Sequence, residues 1–76
     1  MLRFPSREIV KVLREKYPAG TRVELISMDD IQSPQVGTRG TIRGVDDAGS
    51  IMVLWDNGSS LSLIYKIDNF RGLDDE

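Results

Sequence analysis

From Arg7 to Tyr17 the chain runs Arg-Glu-Ile-Val-Lys-Val-Leu-Arg-Glu-Lys-Tyr, free of glycine and proline and rich in straight-chain helix formers. At about 100° per residue Ile9, Val10, Leu13 and Tyr17 fall on one face with Val12 at its edge, which predicts an amphipathic helix over 6–17. Ser6 is the N-cap candidate, although Ile9 holds the position where a capping box wants Glu or Gln. Pro18 disfavours helical geometry at Tyr17 and Gly20 follows, so the helix ends there.

Beyond Gly20 the period changes. Val23 and Leu25 alternate with Arg22 and Glu24, predicting a half-buried first strand over Thr21 to Ser27, with Ile26 and Met28 breaking the alternation. The aperiodic stretch from Asp29 to Gln35 reads as a loop. A second strand is predicted over Gly40 to Val45, where Ile42 and Val45 are out of phase for a simple pleat. A bulge at Gly44 returns both to one face. Asp46 to Ser50 is a turn, and two hairpins in succession then make a meander.

The last hairpin, Ile51-Met52-Val53-Leu54-Trp55 through Asp56-Asn57-Gly58 to Ser59 and onward to Tyr65, permits a register argument. A two-residue Asn57-Gly58 turn pairs Trp55 with Ser60 and Val53 with Ser62, mixing apolar and hydroxyl side chains. A three-residue loop, a type I turn closed by glycine in the left-handed region, pairs Trp55 with Ser59, Val53 with Leu61 and Ile51 with Leu63. Those five apolar residues then share one face, which makes Trp55 a core residue rather than a gripping surface for proline-rich peptides. Ser60, Ser62, Met52 and Leu54 face outward, so the core leaves Met52 and Leu54 to the helix or to a partner.

A helix followed by four or five short strands predicts a mainly β (α+β) fold, a small SH3-like antiparallel β-barrel preceded by one amphipathic helix. The 76 residues leave room for a single domain: helix 6–17, barrel 21–72 and acidic tail 73–76, the tail expected to fray.

Composition narrows the chemistry. Cysteine and histidine are both absent, which removes disulfides, thiolate nucleophiles, Cys-rich zinc sites and the commonest general base. The longest apolar run, Ile51 to Trp55, is five residues, so no membrane span is expected. With no apolar signal core at the N-terminus, a cytoplasmic protein is the expectation, and the Asn57-Gly58-Ser59 sequon is turn chemistry. Net charge is −2, but its distribution is uneven: residues 1–22 carry +4 and residues 23–76 carry −6.

Phe4-Pro5-Ser6, the stretch from Tyr17 to Leu25, Met28-Asp29-Asp30, Gly37 to Thr41, Val45-Asp46-Asp47 and Trp55 to Leu61, in that order, together resemble an uncharacterised bacterial family, a domain of unknown function. The resemblance spans about Phe4 to Arg71. It implies short proteins of Gram-positive bacteria, their phages and conjugative elements, with no established activity, cofactor or catalytic residue. The chain departs from that pattern at Ile31, where members often have proline, and at Met52 and Leu54, where they often have polar residues. More distantly, Gly20 to Val23, Gly37 to Thr41 and Val53 to Gly58 are similar to the SH3-like, peptide-binding repeats of mind-bomb-type ubiquitin ligases, which supports fold more than function.

The candidate sites weigh as follows. Asp29-Asp30 and Asp46-Asp47 lack the spacing of a calcium loop and read as turn residues, so no metal site and no cofactor is expected. Ser59 and Ser60 lie near Asp56 without a base, so no catalytic residue is expected and the chain reads as not an enzyme. Arg39 and Arg43 are expected to pair with Asp46, Asp47 or Asp56, or to meet a partner. Arg7, Lys11 and Arg14 share one helical stripe with Arg3 in line, which reads first as a solvated face and second as a weak phosphate-binding surface. Exposed aromatics for stacking single-stranded bases are limited to Phe4, Tyr17, Tyr65 and Phe70.

The leading expectation is a non-catalytic interaction module that binds another protein, or itself, through Met52 and Leu54. The alternative is a sequence-independent nucleic-acid accessory protein of a mobile element, using Arg3, Arg7, Lys11 and Arg14.

Overall fold

The computed structural model describes residues 7–73. One helix, α1 (Arg7–Lys16), precedes five strands: β1 (Arg22–Ser27), β2 (Arg39–Val45), β3 (Ser50–Trp55), β4 (Leu63–Ile64) and β5 (Asn69–Gly72). The Ser6 cap and the Arg3 end of the basic stripe lie outside the described residues.

The strands form one antiparallel sheet in the order β4-β3-β2-β1-β5. The register follows from which side chains seek the core. Ile42 stands opposite Val53 and Val45 opposite Ile51, with the register shifting between Ile42 and Gly44. That shift is the bulge the out-of-phase Ile42 and Val45 require, and Gly44 takes φ 153°, a conformation costly for a side chain with a Cβ. In the last hairpin Gly58 has φ 93°, Trp55 N–H donates to Ser59 O at 2.8 Å, and Ile51 pairs with Leu63. The three-residue loop and its register are therefore present.

The expected barrel is corrected in one respect: the sheet does not close. β4 and β5 are its two edges, and no ladder joins them. The β3–β4 ladder is confined to Ser50–Ile64 and Ile51–Leu63, so the expected Val53–Leu61 pair is missing from it. The physical reason is local competition. The Trp55 indole N–H donates to Leu61 O at 2.8 Å and Ser59 Oγ accepts the Leu61 N–H at 3.4 Å, so Leu61 finds partners without a strand partner. Residues 65–68 then turn the chain toward β5, with the Ile67 and Asp68 N–H groups donating to Ile64 O and the Ile64 N–H to Asp68 Oδ2.

The core lies on one side of the sheet: Val23 and Leu25 from β1, Ile42 and Val45 from β2, Ile51, Val53 and Trp55 from β3, and Leu63 from β4. Helix α1 closes that side with Val10 and Leu13, while Tyr17 and Phe70 pack at its margin. Ile9, expected on the buried face, is exposed, because only Val10 and Leu13 of α1 are buried in the core. The tail expectation also needs correction at its first residue. Leu73 is buried and its N–H donates to Arg22 O at 2.9 Å, extending the β1–β5 contact past Gly72. An apolar side chain beside β1 gains more from burial than from fraying.

Candidate functional site: the outer face of the sheet

Since β3 turns Ile51, Val53 and Trp55 inward, its pleat turns Met52 and Leu54 outward. They remain 38% and 45% exposed, because α1 lies on the opposite side of the sheet and cannot reach them. Leu54 stands opposite Thr41 and Met52 opposite Gly44. A Cβ at Gly44 would come 3.5 Å from Met52 Cε, so the methionine lies across the strand position that has no side chain. Ile64, 49% exposed and opposite Ser50, extends the patch onto β4. The sequence reading missed Ile64, although the register that turns Leu63 inward turns Ile64 outward by the same alternation.

Much of the rest of the outer face is charged and internally paired. Arg22, next to Thr41 in the ladder, donates from Nη1 to Thr41 Oγ1 at 3.0 Å and holds the Asp56 carboxylate with both nitrogens, at 2.8 and 2.7 Å. The Arg22 hydrogen bonds hold Asp56 below its ordinary carboxylate value and raise Arg22 in turn. Glu24 accepts from Arg71 Nε and Nη2, both at 3.3 Å, and from Arg39 Nε at 3.4 Å. It too is held below its ordinary value, chiefly by the Arg71 hydrogen bond. On the outer face, then, Arg22, Glu24, Arg39, Asp56 and Arg71 are paired among themselves with Ile26 exposed on β1 and Arg43 exposed on β2, while β3 and β4 present Met52, Leu54 and Ile64.

The described members of the basic stripe are all exposed, and one of them is internally paired. Arg7 and Lys11 are exposed, but Arg14 donates from Nε to Val45 O at 3.0 Å and from Nη2 to Asp47 Oδ1 at 2.8 Å, pinning α1 to the β2–β3 turn. The aspartate pairs act as turn residues. Asp30 Oδ1 accepts the Gln32 N–H, and Asp46 Oδ1 accepts those of Ala48 and Ser50. Arg39 Nε reaches Glu24 Oε1 at 3.4 Å, and its charge adds to that of Arg22 in holding Asp56 below the ordinary carboxylate value. Arg43, at the bulge, is exposed. Among the described residues, no three acidic side chains gather where they could share a cation, and no helix is long and apolar enough to cross a membrane.

Fold and surface together define a small domain of one helix on a five-stranded antiparallel sheet. The chain belongs to the family described as Domain of unknown function (DUF4314), whose model matches residues 6–73. No curated protein matches it.

Proposed function

We propose that the chain is a non-catalytic protein-binding module, acting in the cytoplasm, whose contact surface is Met52, Leu54 and Ile64. The observation that carries this reading is the arrangement of the outer face. Three large apolar side chains stand together on regular strands, beside charges already paired with one another. A sheet holds the backbone of such a patch in place before docking, and excluding water from the apolar side chains supplies the driving force. The strand order β4-β3-β2-β1-β5, with the last strand returning to the first, supports an SH3-like ancestry for a sheet that stays open. The patch is small, which favours a transient contact over a permanent dimer.

The test compares the chain with its Met52→Ser/Leu54→Ser variant in sedimentation and in capture from a native extract. The expected result is a partner or a self-association held by the parent chain and lost from the variant. Equal behaviour of the two overturns the reading.

The second reading, a weak nucleic-acid accessory protein of a mobile element, has less support on the helix than the stripe promised. Arg7, Lys11 and Arg14 are all exposed, but Arg14 is already held by Val45 O and Asp47, which leaves less of its charge for a phosphate.

A further inference from the structure

On a different side of the molecule from the outer face, the end of α1, the 65–68 turn and β5 enclose a shallow groove. It is lined by Tyr17, Tyr65, Lys66, Asp68, Asn69 and Phe70. The three rings come from three separate segments. Tyr17 and Phe70 meet edge-on, with centroids 5.2 Å apart and planes at 60°, and all three rings are half-buried against the core, which fixes their positions. Each tyrosine carries an ammonium group: Lys16 Nζ is 5.4 Å from the Tyr17 centroid, and Lys66 Nζ is 5.7 Å from that of Tyr65. Lys66 is the one non-glycine residue with positive φ among those described, at 69°. A side chain in that region is strained, and Lys66 is among the residues that line the groove. The carboxylate in the groove, Asp68, already accepts the Ile64 N–H at 2.8 Å.

We propose that this groove binds single-stranded nucleic acid, with bases on the Tyr17, Tyr65 and Phe70 rings and phosphates at Lys16 and Lys66. The charge argues for an anion: Lys66 lines the groove, Lys16 stands over the Tyr17 ring that lines it, and the one carboxylate of the lining, Asp68, is already hydrogen-bonded. The rings argue for an anion that also carries planar faces, because every base has a face that stacks, whatever the sequence. Duplex DNA meets the charge requirement but keeps its base faces stacked inside. An acidic peptide meets it without supplying planar faces. This site shares no residue with the Met52, Leu54 and Ile64 patch, so either can fail without the other.

The experiment is an amide-resolved NMR titration of the full chain with oligothymidylate of about eight nucleotides, at about 20 and about 200 mM salt. Shifts are expected at Tyr17, Tyr65, Lys66, Asn69 and Phe70. With two phosphates engaged on a single strand, affinity is expected to fall roughly 25-fold between the two salt concentrations. Lys16→Glu and Lys66→Glu, both at exposed positions, are each expected to weaken binding tenfold or more while leaving the Trp55 emission unchanged. Tyr65→Leu, which keeps an apolar side chain, is expected to weaken binding with little change in its salt dependence. The proposal is overturned by silence of the groove amides at low salt, or by shifts confined to Arg7 and Lys11. It is equally overturned if a duplex of the same sequence, or a polyglutamate peptide of matching charge, moves the groove amides as strongly.

Discussion

Gly40 stands directly opposite Trp55 across β2 and β3, and a Cβ at Gly40 would lie 2.8 Å from Trp55 Cε3 and 2.7 Å from Val53 Cγ1. The indole therefore rests on bare backbone, and the inner face of the sheet is close-packed at that point. Gly40→Ala forces two buried side chains out of position, at a cost of about 1–3 kcal/mol. Urea denaturation followed through Trp55, the single tryptophan, is expected to show a lower midpoint with an unchanged slope. An unchanged midpoint would mean that β2 and β3 separate more easily than this packing implies.

Trp55 also ties down the irregular segment between the hairpin turn and β4. Trp55→Phe keeps most of the buried ring but leaves Leu61 O without the indole N–H, a loss of about 1–3 kcal/mol. Hydrogen exchange is expected to quicken first at residues 59–64, ahead of β1 and β2. Uniform acceleration across the sheet would contradict a local role for this bond.

Arg14 makes two contacts of different worth. Its pairing with Asp47, whose side chain is fully exposed, contributes about 0–1 kcal/mol, so Asp47→Ala is expected to change stability little. Arg14→Ala also removes the bond to Val45 O and the packing of the arginine stem, and is expected to cost more. Thermal unfolding of the two variants separates these contributions; equal losses would assign the whole effect to the ion pair.

The response to pH follows from the two depressed carboxylates. Asp56 and Glu24 have folded-state values below their unfolded ones, so their contribution is fully present above the unfolded values and fades as pH falls through the folded ones. Without histidine, no side chain with an ordinary value titrates between about pH 5 and 8. Stability is expected to be flat through neutrality and to drop below about pH 4. Asp56→Asn is expected to reduce that acid-side drop, measured as denaturation midpoint against pH, and an identical profile would argue that the Arg22 pair contributes nothing.

Much of this fold is local and therefore legible in sequence. The helix period, the hairpin loop ending at Gly58 and the bulge that reconciles Ile42 with Val45 each depend on residues close in the chain. Pleat and helix periods convert such spacing directly into faces. Met52 and Leu54 were placed on the outer face by that arithmetic, and Ile64 follows from the same register. The failures are of a different kind. Ile9 is exposed because the core covers only the Val10 and Leu13 part of the apolar face, and which part is covered depends on long-range packing. Leu73 is ordered because β1 lies next to it, some fifty positions earlier in the chain.

By itself, the sequence determined the elements, the hairpin register, the inward Trp55 and the absence of thiol and imidazole chemistry, all properties of spacing or of residue type. Tertiary structure alone decided that the sheet stays open and that the β3–β4 ladder is short, since an indole reaching Leu61 O is a three-dimensional contact that no period encodes. It also decided that Arg14, though still exposed, ties the helix to Val45 and Asp47, and that Tyr17, Tyr65 and Phe70 line one groove. Each of these depends on how distant segments pack, and long-range packing is set by the whole core at once.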